Sequence, residues 1–259
     1  FTLLQIKSVT YRLVDVLSLL IQDAETLVSS ICPVTEQEKS MVLDVWNHTR
    51  SEVAADKLHQ IFEKQVTLTP SNIALIEGEN QISFEELNSL SNQIANILLK
   101  EGVREDQKVA VSLPRSKNLI ASILAILKIG AIYVPLDSTY PQERKDYILS
   151  DANVEVIISS NISWINSEAE RVLVQINLDK SDLTHHTFGN LSTVLNTDND
   201  ILTYTSSSTG SPKGVMQTHR AHINRFQWMW DSYPFSENDI CCQKTPIGFV
   251  DAVWETLGP

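Results

Sequence analysis

Apolar residues recur at two different periods along the chain, and the change of period divides it. In residues 1–32, Leu13, Leu17, Leu20 and Ile21, with Leu27 and Val28 behind them, recur at helical spacing. That spacing predicts an amphipathic helix packed on an apolar surface and stopped by Pro33. Thr35-Glu36-Gln37-Glu38 is a capping-box pattern and opens a second helix that ends near Asn47-His48-Thr49. A third helix carries Leu58, Ile61 and Phe62 on one face and ends before Pro70.

From Ile73 short apolar runs alternate with helical patterns. Ile73–Ile76 and Gln81–Phe84 read as strands on either side of a Gly78-Glu79-Asn80 turn. Ser83-x-x-Glu86 caps a helix through Leu87, Leu90, Ile94, Ile97 and Leu98, stopped by Gly102. Val109–Val111, Ile132–Leu136, Val154–Ile158, Val172–Ile176 and Ile201–Thr205 are further extended runs. Leu119, Ile123, Ile126 and Leu127 belong to a nearly all-apolar, buried helix, and Pro141 suits the first turn of another that ends near Ser150. Residues 177–200 are polar and aperiodic, a surface loop. Strands alternating with helices predict an α/β fold of layered sheets with flanking helices, the sheet largely parallel. Residues 1–49 are expected to be the tail of a preceding domain with a linker, and residues 50–259 the main domain.

Charge and composition exclude several classes. Lys+Arg number 20 against 32 Asp+Glu, a formal net charge of −12, and so acidic a surface repels a phosphate backbone, so no nucleic-acid partner is expected. A 42% hydrophobic, 20% charged chain is not disordered throughout. Three cysteines, two of them adjacent at Cys241-Cys242 on an expected half-buried strand, make no disulfide framework and no C-x-x-C zinc pair. The expected compartment is a reducing cytoplasm. The longest apolar helical run, Asn118 to Leu127, has ten uncharged residues, short of the ~20 a bilayer needs, so no membrane is expected. Lys7 and Arg12 precede an apolar run, but Asp15 interrupts it and no A-x-A site comes after it, so no secretory signal is read. The chain opens on Phe1 and closes on Pro259, and both ends read as cuts in a longer polypeptide.

Candidate chemistry concentrates in Tyr204-Thr205-Ser206-Ser207-Ser208-Thr209-Gly210-Ser211-Pro212-Lys213-Gly214. Six serine and threonine hydroxyls, two glycines and one lysine lie between an apolar strand and the apolar pair Val215-Met216. Hydroxyls and closely spaced N–H groups donate, and Lys213 adds a positive charge, which together suit a polyphosphate. The pattern is not G-x-x-x-x-G-K-[ST]. A flexible serine-rich linker is the other reading, though linkers are rarely bracketed by apolar strands. The candidate nucleotide-binding residues are Thr205, Ser206, Ser207, Ser208, Thr209, Gly210, Lys213 and Gly214.

This stretch resembles the phosphate-loop signature of the adenylate-forming superfamily, Y-T-S-G-[ST]-T-G-x-P-K-G, departing only where Ser207 replaces Gly. Leu127-Lys128-Ile129-Gly130-Ala131-Ile132-Tyr133-Val134-Pro135-Leu136-Asp137, followed by Tyr140-Pro141 and Glu143-Arg144, resembles the L-K-A-G-x-A-Y-V-P-[LIV]-D block of nonribosomal peptide synthetase adenylation domains, with Ile129 in place of Ala. Ile82-Ser83-Phe84-Glu85-Glu86-Leu87-Asn88 is similar to a third block of that family, whose role is a strand-to-helix cap rather than chemistry. The resemblance covers residues 50–259 and implies an incomplete large N-terminal subdomain of an adenylate-forming enzyme. Residues 1–49, with Val45-Trp46-Asn47, resemble the connector found after a condensation domain.

The resemblance implies activation of an amino acid with ATP as aminoacyl-AMP, then transfer to the phosphopantetheine thiol of a downstream carrier domain. Mg²⁺ would neutralise the phosphates. The family's Mg²⁺-binding Glu, ribose-binding Asp, hinge and catalytic Lys lie in later motifs, so no catalytic residue and no metal ligand is assigned within these 259 residues. The family's F-D-x-S-V-W-E stretch reads Phe249-Val250-Asp251-Ala252-Val253-Trp254-Glu255. Val250 stands where an Asp usually pairs with an α-ammonium, and Asp251 comes one residue (~3.8 Å between Cα atoms) later. This order is similar to the opening of the pocket code of β-alanine-activating domains, so Val250, Asp251 and Trp254 are candidate substrate-binding residues for a β-amino acid. Asp251 could instead be a solvated carboxylate at a helix start, with Val250 marking an acid that lacks an amine, or it could swing inward to hold an ordinary α-amino acid. Trp254 is either pocket wall or core. His185-His186 are expected in solvent, His219 and His222 in capping or packing beside Phe226 and Trp230, and Trp228-Met229-Trp230 in the core. A stand-alone acyl- or aryl-CoA ligase, or an inert piece that only packs against neighbouring domains, are the competing functions. The isolated 259 residues are expected to show no ATP–pyrophosphate exchange; robust exchange would overturn the assignment of catalysis to later motifs.

Overall fold

The computed structural model describes residues 2–32, 34–160, 174–178, 189–191, 195–205 and 210–259. The chain divides into two compact units, Phe1–Glu52 and Val53–Pro259.

In the first unit α1 (Leu3–Gln22) opens on a capping box in which the Thr2 hydroxyl accepts from the Gln5 amide. It ends at Gln22, eleven residues before Pro33, and none of its residues is buried. The expected packed face is therefore absent, and Leu27 and Val28 lie exposed outside the helix. Among the described residues the unit's only other α-helix, α2 (Glu36–Ser40), is five residues long and too short to cover a twenty-residue stripe. It has the anticipated Thr35–Glu38 capping box and runs into a π-helical turn, Met41–Val45. One ion pair ties the unit together. Arg12 donates to Glu38 through Nη2 at 2.6 Å and through Nε at 3.1 Å, and Ser8 donates at 2.8 Å. These bonds hold the Glu38 carboxyl down at about 2.

The second unit begins with α3 (Leu58–Leu68) and an antiparallel hairpin, β1 (Ile73–Glu77) and β2 (Asn80–Ser83). Ser83 then caps α4 (Phe84–Lys100), and Glu86 accepts two hydrogen bonds from Ser83 at 2.8 and 2.9 Å. The main sheet is built from β3 (Lys108–Ser112), β4 (Ile132–Pro135), β5 (Val156–Ser159), β6 (Val174–Ile176), β7 (Asn199–Thr205) and β8 (Lys213–Thr218), ordered β6-β5-β3-β4-β7-β8. All neighbours are parallel except β7 and β8.

Side-chain alternation assigns the two faces. Val109, Val111, Tyr133, Val156, Ile158 and Ile201 face one way, toward α4, α5 (Lys117–Lys128) and α7 (His219–Ser232). Ala110, Ile132, Val134, Ile157, Leu202 and Tyr204 face the other way, toward α6 (Gln142–Asp151), which supplies Ile148 and Leu149. Helices on both faces make the α/β layering that the alternation of strands and helices predicts. The last element is α8 (Asp251–Leu257). Cys241 and Cys242 correct the sequence reading: they are exposed, and no strand forms there. Among the described residues no helix is long and apolar enough to cross a membrane.

A buried cation locks the first three helices of this unit. Lys128, at the end of α5, which is buried from Leu119 onward, donates to Glu63 of α3 at 2.7 Å and to Asn88 and Asn92 of α4 at 2.6 and 2.7 Å. Burial pulls its ammonium below the ordinary lysine range, and the Glu63 carboxylate opposes that. Lys128→Ala is expected to cost about 3 kcal/mol, because a half-buried carboxylate and two amide oxygens lose their donor together. Urea denaturation of the variant checks it, and a loss under about 1 kcal/mol would contradict a locking role.

Candidate active site

β7 lies between β4 and β8, and its middle is buried: Ile201, Leu202, Thr203 and Tyr204. Its carboxyl end, where parallel α/β sheets present their ligand sites, opens directly into the hydroxyl-rich stretch. The chain returns as edge strand β8 with Thr205 opposite Lys213, Tyr204 opposite Gly214 and Thr203 opposite Val215. Thr205 donates its hydroxyl to the Lys213 carbonyl at 3.4 Å. Gly210 sits at φ +103°, a conformation that favours glycine. Lys213 is exposed, and among the described residues no carboxylate pairs with it. Thr205, Gly210, Lys213 and Gly214 thus come together at one hairpin, while Ser206, Ser207, Ser208 and Thr209 lie outside the described residues, as do His185 and His186.

Gly214 is required by contact rather than by backbone angle. A Cβ there would lie 3.1 Å from Tyr204 Cζ and 3.2 Å from both the Tyr204 oxygen and Leu202 Cδ1. The bare backbone lets the Tyr204 ring cross β8, so that its hydroxyl donates to Asp151 of α6 at 2.7 Å. Burial, reinforced by Asp151, pushes that phenol well above the usual tyrosine range. Tyr147, one turn before Asp151 on α6, meets the Tyr204 ring edge-on at 6.4 Å and donates to the Pro212 carbonyl at 3.0 Å. Neither Tyr147 nor Asp151 stands out in the sequence; their i, i+4 spacing is the available signal.

The other end of β7 is anchored by a buried polar cluster. Asp200 lies 2.7 Å from His222 Nδ1, and burial raises its carboxyl above the ordinary range. His219 Nδ1 accepts the Leu58 amide at 3.3 Å, which leaves its proton on Nε2 and satisfies an otherwise open donor at the start of α3. Burial pulls His219 and its neighbour His59 down to about 3. These histidines are packing groups joining α3, β7 and α7. Among the described residues no three His, Cys, Asp or Glu side chains come together to hold a metal ion.

The candidate substrate residues sit at α8. Val250 is its partly exposed N-cap. Asp251 is its first residue, with 61% of its side chain exposed, and accepts from Arg225 Nη2 of α7 at 2.6 Å. Trp254 stacks on Phe235 at 5.8 Å and meets Phe226 edge-on at 5.1 Å. Trp230, half-buried, donates to the Gly258 carbonyl at 2.7 Å, but Trp228 is exposed, so only part of the Trp228-Met229-Trp230 run is core. Glu255 accepts from the Lys244 and Thr245 amides at 2.8 and 2.7 Å and fixes the approach to α8.

A family model described as "AMP-binding enzyme" matches residues 62–259. The chain belongs to the AMP-binding enzyme family. It is similar to a mycosubtilin synthase protein of Bacillus subtilis, 36% identical over 240 residues that make up 92% of this chain and 9% of that protein. It is also similar to tyrocidine synthase 3 of Brevibacillus parabrevis, 35% identical over 228 residues, 87% of this chain and 4% of that one. The chain therefore spans under a tenth of the length of these two relatives. The nonribosomal peptide synthetase FmoA3 with AMPPNP bound shares the fold: its TM-score is 0.82 at 21% identity, over 100% of this chain and 28% of that one. The Klebsiella oxytoca NpsA N-terminal subdomain in complex with 3-hydroxyanthranilyl-AMSN has a TM-score of 0.71 at 25% identity, over 82% of this chain and 53% of that one. The expected adenylation-domain resemblance and the expected α/β subdomain fold both hold.

Gly214→Ala is expected to cost about 1–2 kcal/mol by forcing Tyr204 off Asp151. In a Tyr204→Ala background the same change should cost less, leaving only the contact with Leu202 Cδ1 at 3.2 Å. Denaturation of the four proteins in this cycle measures the coupling, and additive effects would rule out the crossing contact as the reason for glycine.

Proposed function

We propose that this chain supplies the phosphate-gripping part of a nonribosomal peptide synthetase module that activates an amino acid with ATP. The carboxylate oxygen of the substrate attacks the α-phosphorus, the bond from that phosphorus to the bridging oxygen breaks, and pyrophosphate leaves. The acyl-adenylate then passes its acyl group to the phosphopantetheine thiol of a carrier domain. The work of these residues is positioning and charge stabilisation. Lys213, Thr205, the amides around Gly210 and Gly214, and the hydroxyls of Ser206, Ser207, Ser208 and Thr209 would orient the β- and γ-phosphates. The observation that carries this reading is the hairpin in which Lys213 is held opposite Thr205 at the carboxyl end of β7, in a family described as AMP-binding. The Mg²⁺ expected with ATP has no protein ligand set among the described residues. The unit Phe1–Glu52 fits the tail of an upstream condensation domain with its linker, and the expected setting is cytoplasmic.

For the acid activated, we favour a β-amino acid, β-alanine first. Val250 cannot pair with an α-ammonium, and Asp251 carries its carboxylate one residue further along, where an amine one carbon more distant would meet it. A charged amine leaving water needs such a partner. One observation favours a second reading, an acid without an amine: Asp251 already has a cationic partner in Arg225.

Substrate-dependent ATP–pyrophosphate exchange on the complete module separates the two. β-Alanine should support exchange, α-alanine should be poor, and Asp251→Ala should reduce β-alanine exchange at least a hundredfold while an aryl or keto acid stays inactive. Exchange with the aryl or keto acid alone would establish the second reading, and activity with α-alanine but none with β-alanine would eliminate the first.

A further inference from the structure

We infer that Tyr147 is a positioning residue for the ATP phosphates, acting through the peptide group that joins Pro212 to Lys213. The inference rests on the reading of the hairpin as the phosphate site. Among the described residues β8 is an edge strand, hydrogen-bonded to β7 on one side only, and Lys213, Gly214, Val215 and Met216 are exposed. Pro212 has no N–H to contribute. Its carbonyl is taken by the Tyr147 hydroxyl at 3.0 Å. Among the described residues this is the only side-chain hydrogen bond reaching Gly210–Gly214 from outside the hairpin. The peptide unit is planar, so holding the Pro212 oxygen also holds the Lys213 nitrogen and Cα, and the ladder opposite Thr205 holds the rest of that residue's backbone.

The Tyr147 phenol is itself held. Its ring lies edge-on to the buried Tyr204 ring, at 6.4 Å and 88°. Tyr204 is bonded to Asp151 at 2.7 Å, and Asp151 lies one helical turn after Tyr147 on α6. One face of α6 therefore grips both strands of the hairpin, β7 through Asp151 and the entry to β8 through Tyr147. Neither residue would touch the nucleotide, so both act on it through the strand that carries Lys213.

The test uses the complete adenylating enzyme with Tyr147→Phe, which keeps the ring and removes only the hydroxyl. The KM for ATP in pyrophosphate exchange should rise about fivefold, the size expected for one lost hydrogen bond. The KM for the amino acid and the inhibition constant of AMP, which has no β- or γ-phosphate, should stay within twofold. Hydrogen–deuterium exchange across residues 210–218 should quicken in the same variant. An unchanged KM for ATP with Lys213→Ala raising it would overturn the role of Tyr147 and leave the phosphate site standing. An unchanged KM in both variants would overturn the phosphate site, and the Tyr147 role with it. A parallel change for ATP, AMP and amino acid, or unaltered exchange at 210–218, would show a merely structural bond and overturn the inference.

Discussion

The reversal of direction between β7 and β8 is the constraint on which the candidate site depends. A parallel strand ends with its carboxyl terminus pointing out of the sheet, and the chain beyond that point must cross over or turn back. Here it turns back, with Thr205 opposite Lys213 and Tyr204 opposite Gly214. A one-residue slip of β8 would turn its side chains to the opposite face and bring one against Tyr204 and Leu202, where a Cβ already meets atoms at 3.1–3.2 Å. The register is therefore fixed by sterics as well as by ladder bonds. The root of β7 is fixed separately by Asp200, His222 and His219, buried among α3 and α7.

The residues that make the chain recognisable divide into two kinds. Lys128 looks like an exposed charge in the Leu127–Asp137 block, yet it is the buried donor joining three helices. Gly130 of the same block has φ +72°, and a Cβ on it would sit 2.8 Å from Leu195 Cδ2. Ser83 and Glu86 cap a helix, and Glu255 holds two backbone amides before α8. These residues serve the packing and hydrogen bonding of the fold. Lys213 differs: it is exposed and unpaired with carboxylates among the described residues, which suits a group reserved for a ligand.

Local periodicity made most of the second unit legible, because each strand and helix buries its apolar face within a few residues of sequence. The buried run of α5, the Ser83 cap and the strand leading to the hairpin are direct consequences of that. What failed depended on neighbours distant in sequence. The α1 stripe implies a packed helix, but among the described residues the unit's other α-helix is five-residue α2, and α1 stops at Gln22 without any proline. Cys241-Cys242 have strand-like composition, but no strand of the sheet pairs with them. The hold of α6 on the hairpin joins residues 65 apart, Tyr147 and Pro212, so no local pattern announces it.

The two ends of the candidate site meet opposite electrostatic demands on a chain of net charge −12. At the phosphate end one lysine, hydroxyls and backbone donors can offset an anion locally, because short-range hydrogen bonds outweigh a diffuse screened field. At the carboxylate-presenting end the balance is set by Arg225. Its pair with Asp251 leaves 41% of the Arg225 side chain and 61% of the Asp251 side chain exposed. Exposed pairs of this kind are worth about 0–1 kcal/mol, so water screening makes the guanidinium a weak holder. A substrate ammonium that excludes water as it arrives competes on better terms, since attraction strengthens as the local dielectric falls. On the proposed reading of an amine-bearing substrate, selectivity would depend on how far the bound substrate dries Asp251 rather than on Arg225 leaving first.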